Sequence, residues 1–176
     1  DISTQGFTTR SADDLHGVNY VRNAVKAVVD AFDGTVDLYV FEPDDALIQA
    51  WQRALPGVFK PERQMPDGLR AHVRYPQDFL LVQGLVYAKY HMRDPAVFYN
   101  QEDLWNWAEE VVTGERVRIE PYYVIMRLPD ESEEEFVLMM PYTPSSKQNM
   151  VAWLYARNDG DHYGELGVYK FPKQRL

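Results

Sequence analysis

The stretch A-V-K-A-V-V-D-A-F-D-G-T-V-D-L-Y-V-F-E (Ala24–Glu42) carries the strongest local signal in the chain. Two runs rich in Val, Leu, Tyr and Phe flank Asp33-Gly34, a dipeptide suited to the positive φ angles of a two-residue type I′ turn, so the stretch predicts a β-hairpin. In the second run Val36, Leu38 and Val40 alternate with Thr35, Asp37 and Tyr39, which implies one buried face and one at least partly wet.

Outward from the hairpin the period changes. After Pro43, Asp44 or Asp45 can cap a helix carrying Ala46, Leu47, Ala50, Trp51 and Leu55, stopped by Pro56-Gly57. A proline-punctuated connection leads to Leu69–Arg74, and Pro76 suits the first position of a further helix, whose apolar stripe would be Phe79, Val82, Val86 and Tyr90. Asp94-Pro95 repeats the cap-then-proline signature. Asn100 followed by Asp103 resembles a capping box before Leu104, Trp105 and Ala108, so the middle third is expected to be helical.

Beyond Gly114 strand-like runs return at Ile119–Leu128, Glu135–Tyr142, Met150–Arg157 and Glu165–Phe171, with turn residues between them and the acidic Asp130–Glu135 as a solvated hairpin tip. The order lacks the strict strand-helix alternation of parallel sheets. It predicts an α+β fold: a largely antiparallel sheet, made of the N-terminal hairpin and four C-terminal strands, with the helical middle segment packed on it. No internal repeat is visible.

At 176 residues and 45% hydrophobic, the chain can bury about two-thirds of its unfolded surface, and one domain over residues 1–176 is the expectation. A formal charge of −9, with Lys and Arg scattered singly, disfavours nucleic acid as a partner. The absence of cysteine excludes disulfides, thiolate nucleophiles and Cys-based zinc sites. The chain opens at Asp1 without Met or a secretion signal, which reads as a processed chain or a cut piece of a longer one. The longest uncharged apolar stretch, Phe79–Ala88, is about half of the roughly 20 residues a membrane span needs, so the segment is not expected to cross a bilayer itself.

Five stretches together carry a family resemblance: N-Y-V-R-N-A-V-K-A-V-V-D-A-F-D-G-T-V (Asn19–Val36), L-R-A-H-V-R-Y-P (Leu69–Pro76), Y-H-M-R-D-P-A-V-F-Y-N-Q-E-D-L-W (Tyr90–Trp105), E-P-Y-Y-V-I-M-R-L-P (Glu120–Pro129) and V-Y-K-F-P-K (Val168–Lys173). From about Asn19 onward the chain resembles the bacterial membrane proteins known as uncharacterised protein family 0182. The resemblance implies several N-terminal transmembrane helices followed by a large extracytoplasmic region, of which this chain would be a piece. It implies localisation of the whole protein in the plasma membrane, with the remainder of its own chain or an envelope protein as partner. It brings no established activity, and no catalytic or ligand residue.

The residues themselves offer few chemical constellations. His16, His72, His91 and His162 show no metal-site spacing, and each alone is more often a surface or hydrogen-bonded structural residue than an acid or base. His91, beside Tyr90 and ahead of Asp94, is the best placed of them. Arg70 and Arg74, four apart, would share a helical face and could grip a carboxylate or phosphate, or else form a solvated or salt-bridged face; Tyr75 could add a hydroxyl. Arg70, Arg74 and His91 are therefore the candidate anion site. Asn158-Asp159-Gly160-Asp161 with Glu165 gathers oxygen ligands, but its glycine is misplaced for an EF-hand loop, and a hairpin connection is the plainer reading. No metal or cofactor is expected. Nucleophile-elbow, zincin, P-loop and dinucleotide signatures are all missing. The first functional expectation is a non-enzymatic envelope module that packs against its own chain or binds a partner; the alternative is an envelope hydrolase or small-ligand-binding domain.

Overall fold

The computed structural model describes residues 21–129 and 131–172. They gather into two compact units, residues 21–73 and 74–172, and the fold is α+β.

In the N-terminal unit, β1 (Val25–Val29) and β2 (Val36–Val40) pair antiparallel, Val25 opposite Val40 and Val29 opposite Val36. The hairpin is as expected; its turn is not. Asp30 and Thr35 extend the pairing, Gly34 N–H donates to the Asp30 carbonyl at 2.9 Å, and only Gly34 has positive φ (+77°). The loop is thus four residues long. Asp30 and Asp33 shape it by accepting the N–H groups of Phe32 and Thr35 at 2.7 and 2.8 Å. Tyr39, expected on the wetter face, is buried together with Val40: Ile48 packs on Val40, and the Lys60 ammonium lies 5.9 Å from the Tyr39 ring centroid.

Helix α1 (Ala46–Ala54) starts where expected: the Asp45 carboxylate accepts from Leu47 N–H and Ile48 N–H at 3.0 Å each. It serves as the crossover to β3 (Phe59–Pro61), which pairs parallel to β2 and which the hydrophobic pattern did not announce. Pro61 is tolerated there because β3 is an edge strand. Ala24, Val40 and Ile48, with Val25 and Phe59, make a small core. The one-turn α2 (Asp67–Arg70) ends the unit.

The C-terminal unit is built on β8 (Glu134–Pro144). On one edge it pairs with β9 (Ala152–Arg157), which pairs in turn with β10 (Leu166–Lys170). Its other edge carries two strands in succession, β7 (Tyr122–Arg127) and β4 (Trp105–Trp107). All pairings in this sheet are antiparallel. The residues described in the acidic tip, Glu131–Glu134, are exposed. The strand β4 corrects the capping-box reading: the helix α4 (Pro95–Asn100), capped by Asp94, ends at Gln101 with φ of 54°, and Trp105–Trp107 is extended. Ladder bonds to β8 and the burial of both indoles outweigh the local helix signal. A separate hairpin, β5 (Glu109–Val112) and β6 (Glu115–Arg118), turns through Thr113 and Gly114 at φ of 53° and 90°, the pair of positive φ angles a two-residue turn uses.

Helix α3 (Gln77–Tyr90) lies on the sheet by Leu80, Leu81, Gly84 and Ala88, whereas Val86 and Tyr90 of the expected stripe are exposed. The helix is apolar nearly all round, so periodicity does not choose its face. Gly84 does, because a Cβ there would lie 2.1 Å from Met140 Cε and 3.1 Å from Tyr142 Oη. The alternating Leu138, Met140 and Tyr142 of β8 meet α3 together with Leu154, Ala156, Trp105 and Trp107. Val137, Trp153 and Leu128 pack on the opposite face under Tyr155, Tyr169 and Phe171.

Candidate functional site

The three residues of the expected anion site stand in different surroundings. Arg70 closes α2 in the N-terminal unit; its Nε is 2.8 Å from Glu62 and its guanidinium lies over the Phe41 ring, 5.1 Å from the centroid. The helix stops there, so Arg74 does not follow it on one helical face. Arg74 lies on non-helical backbone in the C-terminal unit, its guanidinium 4.6 Å from the centroid of the Phe136 ring. His91 caps the far end of the 14-residue α3, and since such a helix is about 21 Å long, Arg74 and His91 are at opposite ends of it.

His91 is buried in an aromatic nest. Its ring stacks on Trp105 with centroids 3.7 Å apart, and Nδ1 is 3.2 Å from the Tyr87 carbonyl, which places the proton on Nδ1. Nε2 makes no hydrogen bond, its nearest carboxylate, Asp103, being 3.8 Å away. Burial above all, with Lys170 adding to it, holds the His91 pKa below the usual histidine value, so the imidazole is neutral at pH 7. A neutral, stacked, enclosed ring is a packing residue.

The other histidines and the oxygen-rich loop are engaged by the fold. His16 lies outside the described residues. His72 Nδ1 pairs with the Gly68 carbonyl at 2.6 Å, and His162 Nδ1 with Glu165 at 3.1 Å. Asn158 accepts Tyr75 N–H at 2.7 Å and donates to the Ala156 carbonyl, while Asp159 accepts Phe136 N–H at 2.6 Å. Glu165, Glu131 and Glu135 surround the guanidinium of the nearly buried Arg157. The oxygens that suggested calcium therefore stitch the end of the sheet together. Among the described residues no three His, Cys, Asp or Glu side chains are grouped to hold a metal ion.

A cavity of about 310 Å³ opens between the start of α3 and strand β6. Gln77 Nε2 donates to the Pro121 carbonyl at 2.6 Å and ties the helix to the strand's exit; Asp78 and Glu120 flank that bond. Arg116 and Arg118, alternate residues of β6, also line the cavity, the Arg118 guanidinium 5.3 Å from the Trp107 ring centroid. Leu81 and Trp107 supply the apolar wall. The sequence reading passed over these residues because the run E-E-V-V-T-G-E-R-V-R (109–118) lacks the Asn-Gly or Asp-Gly signal. The valine-containing runs on either side of Thr113-Gly114 were the available clue.

The N-terminal unit carries a different feature. On α1, Leu47 and Trp51, with Leu55 at its C-cap, follow one another at four-residue spacing and are 44%, 56% and 43% exposed, while Ile48 alone is buried. The helix touches its core with one edge of its apolar arc and leaves the rest of the arc in solvent.

The model of the uncharacterised protein family UPF0182 matches residues 2–176. A UPF0182 protein of Moorella thermoacetica is 52% identical over 159 residues, 90% of this chain and 18% of its own length. Those of Geobacter sulfurreducens and Methanospirillum hungatei are 54% and 50% identical over 91% and 90% of the chain, covering 17% and 18% of those proteins. The chain thus spans less than a fifth of the curated relatives it matches. No solved structure matches. The chain belongs to the uncharacterised protein family UPF0182.

Proposed function

We propose that this segment is a non-enzymatic packing module in the extracytoplasmic part of a longer bacterial membrane protein, docked through α1 onto the remainder of its own chain. The observation that carries the proposal is the exposed apolar arc of Leu47, Trp51 and Leu55. Contiguous exposed apolar surface of this kind marks an interaction site, because leaving it in water forgoes the hydrophobic free energy of burial. Relatives more than five times the chain's aligned length supply a covalently linked partner at high effective concentration. No helix among the described residues is long and apolar enough to cross a membrane. The extracytoplasmic placement rests on the family resemblance.

Trp51→Glu tests the docking. In the longer protein it is expected to lower folded yield and melting temperature, while in the 176-residue chain it changes stability by no more than about 0.5 kcal/mol, as ordinary surface substitutions do. Equal loss in both, or none in either, would sink the reading. Placement is tested with a tag inserted at the exposed Glu131–Glu133 tip: labelling on intact cells is expected, and labelling only after permeabilisation would place the module inside.

A further inference from the structure

The β5–β6 hairpin is a two-stranded sheet of its own, and both strands are exposed at every residue. A hairpin with no third strand and no buried face is marginally stable in water. Its hydrogen bonding follows from its turn. With two residues in the turn, Val112 and Glu115 form a hydrogen-bonded pair, Val111 and Arg116 a non-bonded one, and the alternation continues along the ladder. The Ile119 N–H, which donates to the Ala108 carbonyl at 2.9 Å, falls in step with it. The N–H and C=O groups of Arg116 and Arg118 therefore point away from β5.

Those four groups meet no main-chain partner among the described residues. They open onto the cavity beside α3, which Arg116, Val117 and Arg118 line in unbroken succession while no residue of β5 does. A strand that lines a space with consecutive residues shows it an edge and not a face, because successive side chains point to opposite sides. The edge offers two donors and two acceptors from residues about 7 Å apart, the spacing at which an added antiparallel strand takes up its bonds. Of the two arginine side chains, that of Arg116 is held by the Gln148 amide oxygen, oriented to suit its neighbours, at 2.7 Å. The Arg118 guanidinium lies over the Trp107 ring and makes no ion pair among the described residues.

We propose that the outer edge of β6 takes an extended segment of the remainder of its own longer protein as a third, antiparallel strand. That segment carries a carboxylate opposite Arg118 and, next to it, an apolar residue opposite Val117. Main-chain bonds to Arg116 and Arg118 supply the affinity, and the side chains set the register. Charge selects the carboxylate, since opposite charges facing each other across strands stabilise and like charges destabilise. Asp78 and Glu120 hold interactions of their own within the fold and ask for no cation from the added strand. The same charge rule opposes a second copy of β6 as the occupant: an antiparallel register that bonds the outward residues of two such strands sets arginine opposite arginine. Relatives of which the aligned region is less than a fifth contain ample chain to supply the strand. The inference rests on the proposed packing of this segment against the rest of its chain, and gives that packing a second surface besides α1.

The test is residue-resolved hydrogen exchange on the 176-residue chain and on the longer protein. The Arg116 and Arg118 amides are expected to exchange at least about tenfold more slowly in the longer protein, as hydrogen-bonded amides do. Arg116→Pro removes an outward N–H and no bond to β5, so the 176-residue chain should keep its amide NMR dispersion. In the longer protein the same change should return the Arg118 amide to the rate of the 176-residue chain. Arg118→Glu should cut the protection about two- to fivefold, the worth of an exposed ion pair. If Arg116→Pro fails to fold, Arg118→Glu and the comparison of the two proteins still decide. Equal exchange in both proteins, protection that survives Arg116→Pro, protection unchanged or increased by Arg118→Glu, or protection that grows with protein concentration, as a second copy would give, would each overturn the proposal. The readout lies on β6, whereas α1 docking is read from the melting temperature of Trp51→Glu, so either can fail without the other.

Discussion

The phenol of Tyr142, on the central strand, donates a 2.8 Å hydrogen bond to the carbonyl of Gly84 in the middle of α3. This bond spans the interface between helix and sheet, and it exists because Gly84 has no side chain to hold the two apart. Burial raises the Tyr142 pKa far above the usual tyrosine value, so the hydroxyl is a protonated donor at neutral pH. Tyr142→Phe should cost about 1 kcal/mol, the net worth of one hydrogen bond. Gly84→Leu should cost more, about 1–3 kcal/mol or beyond, because Met140 and Tyr142 are both fully buried and have little room to yield. Urea midpoints check both, and a Gly84→Leu midpoint equal to wild type would mean that α3 does not lie on β8 as described.

Gly34 is the one residue of the first hairpin loop at positive φ, so Gly34→Val should lose about 1–3 kcal/mol through backbone strain alone, since no atom stands within 4 Å of the added Cβ. Asp33→Ala should lose less, about 0.5–1.5 kcal/mol, the net worth of its hydrogen bonding to Thr35, whose N–H it accepts at 2.8 Å. A true two-residue type I′ turn would have required positive φ at both positions. Denaturant midpoints in which Asp33→Ala is the costlier change would contradict the four-residue loop.

How much of this was legible beforehand depends on which force decides each element. The β1–β2 hairpin, the Asp45 and Asp94 caps and the strands β7 to β10 follow from local chemistry: side chains that alternate, carboxylates that cap, turn residues between runs. Three features are decided by tertiary partners and left no local trace. Trp105–Trp107 becomes a strand because β8 offers ladder bonds beyond β7 on the same edge. β3 forms because α1 returns the chain beside β2. The packed face of α3 is set by Gly84 and not by the apolar count. The candidate site was less legible still. Arg70 and Arg74 look paired in sequence, but the helix ends between them, whereas Asp78 and Arg118 are forty residues apart in sequence and share a cavity.

Arg157 is nearly buried and faces three carboxylates, with Nε donating to Glu135 at 2.7 Å and Nη1 3.0 Å from Glu131. Hydrogen bonding to Glu135 first, and the charges of Glu135, Glu131 and Glu165 after it, hold its pKa above the ordinary arginine value. Glu135 is itself only 12% exposed, so the pair is better shielded from solvent than a surface bridge. Arg157→Met leaves Glu135 without its counter-charge and should cost about 3–5 kcal/mol, the penalty for breaking a buried pair. Glu131→Gln, at the exposed tip, should cost no more than about 1 kcal/mol. Thermal unfolding of the two variants checks the order; a costlier Glu131→Gln would show that the tip, and not the β8–β9 pair, holds the guanidinium.

Lys26 gives the N-terminal unit a distinctive pH dependence. Its Nζ donates to Asn23 at 2.6 Å and lies over the Phe41 ring, whose other neighbour is the guanidinium of Arg70. Burial above all, partly offset by Glu42 and reinforced by Arg70, pulls its pKa from 10.5 down to about 8. The folded state thus releases this proton near pH 8, while the unfolded chain keeps it to about pH 10.5. Below pH 8 both states hold the proton and the full penalty is present. Between those values the unfolded state binds more protons, so the Lys26 contribution to stability rises with pH. Lys60 works in the opposite sense at higher pH: its hydrogen bond to Asp37 raises its pKa above 10.5, and its stabilisation is lost as pH climbs through that raised value. Lys26→Met should therefore be more stable than wild type at pH 7, and the advantage should shrink steadily towards pH 10. Urea unfolding of the two proteins at several pH values in that window reads the difference directly, and other titrating groups cancel in the comparison. An advantage that stays constant or grows with pH would show that the Lys26 ammonium is not desolvated in the folded protein.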